Sequence, residues 1–509
     1  MEHTLNQLFY KSATAKGSNV LFSDELEQCT GEQALQSIYS LSNSLLNLGL
    51  EPGDRIAFLC DSSVRHVLSF FSCQHLALIP CALHVRSTAA NLSAALNWLD
   101  ASALIIDARY KELADQVLEQ FGQSIPVVLQ DKPDANPACT TDQDKNIPVI
   151  GSRVKDENAP AMIILSSGTT GEPKGIIHSQ KTLYESAMAG PKVFGDIDEN
   201  DSVIVAMAPS FAAWNHVCLP YLAYGARLVF NHGFEAERFV NTLKDEEITH
   251  APLVPTAWRR ALNTLSNTTK LEKLRLLFFS GEPGTKDFIS LVREKLPHVS
   301  IRSAYLSSEG GDASACVADD VLLSRETLCI GKAIDGASVR IVDPEGGIND
   351  SLPAGEVGEI LICSDSLALG YWKNPSLSQE RFIDGWWRSA DLGKLDDKGN
   401  LTIQGRTDNM IISGGLKVHA EEVEAALLQH PNVSMAAVVG MPDRKWGQRI
   451  EAFVVCDDDT QGELIGDWCR DNELLASFKL PKQIHVRDSL PTGATGKLYR
   501  RDLLSTANQ

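Results

Sequence analysis

No two of the eleven cysteines are spaced C-x-x-C, and their odd number and irregular positions exclude a disulfide framework and a zinc ribbon. They read as reduced thiols of a cytoplasmic protein. The first ten residues, MEHTLNQLFY, carry neither the basic start nor the apolar core of a secretory leader. The last three, Ala507-Asn508-Gln509, match no address signal. Long uninterrupted apolar runs are missing too. The best, residues 67–83, is broken by Ser69, Ser72, Gln74, His75 and Pro80, and predicts a buried helix and strand instead of an integral membrane span. Basic residues are in deficit, 46 against 66 acidic, for a net charge of −20. That excludes nucleic acid and an anionic membrane surface as main partners. Internal repeats and low-complexity tracts are absent as well.

What remains is a chain of 509 residues, 43% hydrophobic and 22% charged, too long for one core and suited to two or three domains. Strand-length apolar runs at 55–59, 103–106, 127–129, 203–207 and 276–280 alternate with helical patterns such as 31–48 and 62–76. The alternation predicts an α/β fold with layered, largely parallel sheets. From about residue 331 the strands shorten and are separated by turns (338–342, 358–362, 393–395, 401–404), which predicts a β-rich subdomain over 331–405. Beyond 405 a compact α+β pattern follows: a Gly-rich turn, helices near 420–428 and 464–472, and strands near 435–439 and 450–455. The expected division is a large N-terminal domain, 1–405, a hinge at 406–408, and a small mobile C-terminal domain, 409–509. One stretch reverses the acidic balance: residues 478–502 hold Lys479, Lys482, Arg487, Lys497, Arg500 and Arg501 against Asp488 and Asp502. It is a candidate phosphate site or a solvated helix face.

Residues 166–175 read SSGTTGEPKG after the apolar run 161–165. Glycines let backbone N–H groups approach an anion, and hydroxyls and a lysine add donors and charge. The order lacks the Gly-Lys-Ser/Thr of a P-loop, so it predicts a phosphate cradle of another kind.

That loop resembles the signature of the adenylate-forming superfamily of acyl-CoA synthetases, peptide-synthetase adenylation domains and luciferases. Other segments extend the resemblance, in order, over nearly the whole chain: SGEP at 280–283, AYLSSE at 304–309, GWWRSADLG at 385–393, GRTDNMIISGG at 405–415 and PTGATGKLYR at 491–500. The tail is closest in texture to the chlorobenzoyl-CoA ligase type of aryl- and acyl-CoA ligases. The resemblance implies ATP and coenzyme A as co-substrates and Mg²⁺ as cofactor. It assigns Ser166, Ser167, Gly168, Thr169, Thr170, Gly171 and Lys174 to the phosphates, and Gly281, Glu282, Pro283 and Tyr305 to adenine. It makes Ser308 an α-phosphate donor and Glu309 the Mg²⁺ ligand. Asp391 and Arg406 would meet the ribose, with Arg406 also near the α-phosphate. Lys497 would drive the first half-reaction and Asp408 would be the hinge pivot. Gly414, Gly415, Trp446, Phe478 and Lys482 would contact coenzyme A, though Leu480 stands where that branch carries a second basic residue, and Trp446 and Phe478 are equally readable as core.

The implied reaction is attack of a carboxylate on the α-phosphate of ATP, loss of pyrophosphate, and displacement of AMP by a thiol. The small domain would turn between the two steps. Three features bear on the acid. The stretch Ser210-Phe211-Ala212-Ala213-Trp214 lacks the carboxylate that pairs an α-ammonium in peptide synthetases, so an amino acid is not expected. It also lacks the histidine that many acyl-CoA synthetases place there, unless His216 reaches in. Leu306 replaces the glycine after the motif tyrosine and is expected to shorten the acyl pocket formed with Ala304 and Trp214. A short, branched or aromatic carboxylic acid is the expected substrate. A carrier-protein phosphopantetheine arm is the alternative acceptor, and a lapsed binding protein the alternative class, suggested by Ser308, Ala390 and Ala333 at positions where the family has threonine, glycine and proline. A second copy of the chain stays open as a partner.

Overall fold

The computed structural model describes residues 3–130, 151–167, 173–266, 270–282, 284–323, 329–456, 461–472, 474–491 and 500–506. Its chain falls into two units: residues 1–339, 362–387 and 399–401 form the first, and 340–361, 388–398 and 402–509 the second. The second unit thus takes in segments of the β-rich stretch that lie before the expected 406–408 hinge.

The first unit is built on a nine-stranded sheet. Its strand order is Lys332–Ala333, Cys316–Ala318, Ser300–Tyr305, Leu276–Phe279, His250–Pro252, Ser202–Val205, Arg227–Phe230, Val20–Ser23 and Gln28–Thr30. The six strands from Ser300–Tyr305 to Val20–Ser23 pair in parallel, which is why they read as continuous apolar runs. A second, four-stranded parallel sheet orders Ile79–Ala82, Arg55–Leu59, Ala101–Ile106 and Val127–Leu129. The 67–83 stretch resolves as expected into helix Val64–His75 and strand Ile79–Ala82, both largely buried. Helix starts are chemically marked. Thr30 and Gln33 form a capping box on Gly31–Leu46, and Ser179 and Thr182 form one on Gln180–Met188. Phe9, Phe22, Phe71, Trp214 and Phe230 share one core cluster. Each such side chain contributes about 1.5–3 kcal/mol by burial.

A three-stranded antiparallel sheet in the same unit orders Gly370–Tyr371, Pro173–Ser179 and Pro160–Ser167. Its last two strands form the hairpin whose tip is the 166–175 loop, with Leu165 opposite Gly175. All ten cysteines among the described residues are free thiols. No helix among the described residues is long and apolar enough to cross a membrane.

In the second unit strand Val433–Asp443 runs antiparallel to Gly447–Cys456, and Gln483–Val486 adds in parallel beyond helix Gly462–Asp471. Helix Ala420–Leu427 buries Val423 and Leu427 against Ile411, Val438 and Ile450. One buried ion pair ties the chain's end to this helix. Glu424, 7% exposed, accepts from Arg500 Nε at 3.0 Å and Nη2 at 2.7 Å, and from the Val438 amide at 2.7 Å. Burial raises the Glu424 carboxyl above its ordinary range, and the Arg500 charge opposes that. The arginine of the PTGATGKLYR segment is therefore an anchor for the residues that follow Lys497. Arg500→Met leaves a buried carboxylate unpaired. It is expected to destabilise the second unit by about 3–5 kcal/mol, read as a lowered midpoint in chemical denaturation.

Candidate active site

In parallel sheets the loops at the carboxyl ends of the strands are where ligands sit, because that edge gathers backbone and side-chain donors from several segments. Strand Ser300–Tyr305 ends there, and the residues that follow it are pinned from three directions. The buried His178 sets its Nε2 2.8 Å from the Ser308 carbonyl, with Thr182 Oγ1 3.2 Å from its Nδ1. The Tyr371 hydroxyl donates to Glu309 Oε1 at 3.0 Å, and Trp387 Nε1 reaches the same hydroxyl at 3.4 Å. The Ala368 amide donates to the Glu309 carbonyl at 2.8 Å. Burial drives the His178 imidazole down to about 4, so it is neutral at physiological pH and its Nε2–H donates to Ser308. The sequence does not mark these partners, His178, Tyr371 and Trp387. Each is an ordinary-looking residue whose role exists only through a long-range contact.

Glu309 is half-buried, and its hydroxyl partner sets the plane of its carboxylate. A single oriented carboxylate suits a hard divalent ion that takes its remaining ligands from substrate phosphates and water. The described residues hold no cluster of three or more His, Cys, Asp or Glu. Tyr305 and Leu306 are half-buried beside it, and Ala304 is 4% exposed in the core.

Other expected residues of this unit are placed as follows. Lys174 lies opposite Ser166 in the hairpin register, and Ser167 opposite Pro173. Gly168, Thr169, Thr170, Gly171 and Pro283 lie outside the described residues. Gly281 adopts a left-handed φ of +82° that glycine tolerates. The Glu282 carboxylate receives the Thr256 amide at 3.0 Å and also the Thr256 hydroxyl, so its side chain caps helix Pro255–Thr264. Trp214 is 1% exposed and donates its indole N–H to Ser62 Oγ at 2.9 Å; Trp258, also 1% exposed, donates to the Phe278 carbonyl at 3.3 Å. Trp214 borders a cavity of about 20 Å³ with Phe58, Phe70 and Met162, which is room for a water and not for an acyl chain.

In the second unit Arg406 Nη1 sits 2.6 Å from Asp391 Oδ1, and its Nη2 lies 3.6 Å from Asp408. The strand that carries Asp391, Trp386–Leu395, is held by Glu359, which accepts from Arg388 Nε at 2.8 Å and from the Ala390 amide at 3.1 Å. Ala390 has φ +61°, a left-handed conformation. Glycine, which the resemblance leads one to expect at this place, takes that conformation freely, and this chain carries the strain of a Cβ there. Gly414 has φ +59°, and a Cβ on it would stand 2.7 Å from the Trp446 ring. The Gly414 amide donates to the Trp446 carbonyl at 2.8 Å. Trp446 and Phe478 are 41% and 40% exposed, so neither belongs to the core. Lys445 and Lys479 lie over their rings at 4.6 and 5.6 Å. Gly415 has open space around it, and Lys482 is exposed. Lys497 lies outside the described residues.

A parallel sheet with an oriented carboxylate at its carboxyl edge and a second, α+β unit with exposed aromatics are the frame of the site. The chain belongs to the AMP-binding enzyme family, whose model matches residues 9–372, and the model of the AMP-binding enzyme C-terminal domain matches residues 422–497. It is similar to 2-succinylbenzoate–CoA ligase of Bacillus licheniformis, 29% identical over 90% of this chain and 91% of that one. A long-chain-fatty-acid–CoA ligase of Mycobacterium tuberculosis is 27% identical, covering 91% of each. The fold is shared with o-succinylbenzoate CoA synthetase of Bacillus subtilis, solved with its acyl-adenylate intermediate (TM-score 0.86, 22% identity, 97% of each chain).

Two expectations follow from this geometry. Ala390→Gly relieves the left-handed alanine and should raise stability by about 1 kcal/mol in denaturant titration. His178 titrates near 6.5 when unfolded and near 4 when folded, so below pH 6.5 the unfolded chain takes up a proton that the folded one refuses. Stability therefore falls between pH 6.5 and 4, by up to about 3 kcal/mol from this residue, and His178→Gln should flatten the decline by close to one proton.

Proposed function

We propose that the protein is an ATP-dependent carboxylic acid:coenzyme A ligase that works through an acyl-adenylate and releases AMP and pyrophosphate. The observation that carries this reading is that one chain holds both matched domains in order, the second ending at Lys497. Its similarity to CoA ligases along nine-tenths of its length supports it.

In the proposed first step a carboxylate oxygen attacks the α-phosphorus of ATP and the bond to pyrophosphate breaks. The 166–175 loop, with Lys174, binds the departing phosphates. Ser308 donates to the α-phosphate, and His178 keeps the Ser308 backbone in place for that contact. Glu309, oriented by Tyr371, would hold Mg²⁺, which when bound neutralises charge on the phosphates. Tyr305 and the 281–282 backbone take the adenine, while Asp391 and Arg406 take the ribose. Lys497 stabilises the charge that builds between carboxylate and phosphate in the transition state. In the second step the thiol sulfur attacks the acyl carbon and AMP leaves. Gly414 and Gly415 give the pantetheine arm room to pass, and Trp446, Phe478 and Lys482 offer stacking surfaces and a charge to the rest of coenzyme A. The two steps need different groups at one carbonyl, which is the use of a hinge at Asp408.

The acid is a short, branched or aromatic one, with Leu306 shortening the pocket beside Ala304. Trp214 acts at most as rigid backing, because it is sealed in the core. A carrier-protein phosphopantetheine arm is the second reading for the acceptor. Its support is Leu480, which packs half-buried against the core of the second unit where a basic residue for coenzyme A would stand, and Lys479, which is engaged by Glu422 at 2.7 Å.

ATP–pyrophosphate exchange over a panel of small acids, with magnesium, tests the first step, and thioester formation with free coenzyme A tests the acceptor. Lys497→Ala is expected to lower exchange by a factor of about 10² or more while leaving thioester formation from a supplied acyl-adenylate within a few-fold. Equal loss of both half-reactions would overturn the division of labour.

A further inference from the structure

Asp312 is a fully buried carboxylate three residues beyond Glu309, and the reaction above makes no use of it. Ser186 Oγ donates to its Oδ2 at 2.9 Å, and its own amide donates back to Ser186 Oγ at 2.9 Å. Its other oxygen, Oδ1, lies 3.3 Å from Nδ1 of His216, a residue 8% exposed on helix Ala212–Ala223. The contact is at ion-pair distance but off the line of a good hydrogen bond. Asp312 Oδ1 and both ring nitrogens of His216 are buried with no hydrogen-bond partner.

Burial raises the Asp312 carboxyl above its usual range, and the neighbouring His216 pulls it back. With Nδ1 facing Asp312, the other ring nitrogen, Nε2, is buried and has no partner. Native proteins seldom keep such a buried polar atom without a ligand or water to serve it.

The position of the pair says which ligand. His216 lies in the second turn of the helix that follows strand Ser202–Val205, and Asp312 follows strand Ser300–Tyr305. These strands are parallel members of one sheet, and both residues lie past their carboxyl ends. His216 is also close enough to His178, the residue on the Ser308 carbonyl, to act on its titration. The pair therefore sits behind the Ser308–Glu309 turn, on the side of the helix that begins at Ala212, where the expected acyl wall lies.

We infer that His216, held by Asp312, is a specificity residue of the acyl site whose Nε2 takes a hydroxyl, a group able to donate or to accept, carried on the acid away from its reacting carboxyl. This inference rests on the adenylation reading and narrows the acid it serves.

The test is ATP–pyrophosphate exchange with matched acids differing by one hydroxyl, such as 4-hydroxyphenylpropanoate against phenylpropanoate and 4-hydroxypentanoate against pentanoate. The wild type is expected to prefer the oxygenated member of at least one pair by about tenfold or more in kcat/KM. His216→Phe should bring that ratio to within about twofold, mainly by loss on the oxygenated acid. Asp312→Asn should shift it the same way, and His216→Gln, which keeps an N–H, should retain part of it. ATP binding by calorimetry should be unchanged in all three. A ratio that survives His216→Phe, or a wild type indifferent to every pair, overturns the assignment while leaving adenylation standing. If His216→Phe does not fold, the ratios of His216→Gln and Asp312→Asn decide by the same criterion. Absence of exchange with every acid overturns the adenylation reading itself, and this inference with it.

Discussion

A short turn after one strand, residues 306–312, closes on itself through the Gly310 amide on Ser307 Oγ at 2.9 Å and is fixed in place by contact with distant chain. Tyr371 orients Glu309 from 62 residues away, and His178 grips Ser308 from 130. Both partners belong to the three-stranded antiparallel sheet that also carries the hairpin of the 166–175 loop. A single small sheet thus carries the strand Pro173–Ser179 and both side chains that hold residues 308 and 309. Burial keeps His178 neutral there, against the pull of the Ser308 carbonyl toward the charged form.

The second unit solves a related problem with ion pairs. Glu359 fixes the strand that carries Asp391, Arg406 sets the orientation of Asp391, and Glu424 clamps Arg500. The alanine at 390 stands in a conformation made for glycine, and the Glu359 carboxylate on its amide helps to keep it there. Trp446 and Phe478, by contrast, lie open to solvent with lysines over their faces. Aromatic rings left in water have surface to offer a ligand, and core packing has no claim on them.

Most of the elements are legible in the order of the residues. The apolar runs 55–59 and 127–129 coincide with observed strands, and the stretch 67–83 divides into a buried helix and a strand as its pattern predicts, because parallel strands and amphipathic helices write their periods into the chain. Boundaries differ where pairing extends a strand past its apolar heart, as in Val433–Asp443 against the expected 435–439. The grouping of 340–361 and 388–398 with the C-terminal residues is not legible, since chain order carries no sign of which strands pack together.

Motif residues such as Glu309, Asp391 and Gly414 are readable because the roles proposed for them demand a residue type at a fixed spacing: an oxygen ligand, an acceptor, a backbone free of Cβ. Tyr371, Glu359, Arg500's partner Glu424 and the His216–Asp312 pair are not, because their identity is ordinary and their meaning lies in a distance. The chain's order of residues determined the class of chemistry. Tertiary structure decided which side chains are oriented, neutral or left with an unmade hydrogen bond, since those properties arise only when segments far apart in sequence exclude water from one another.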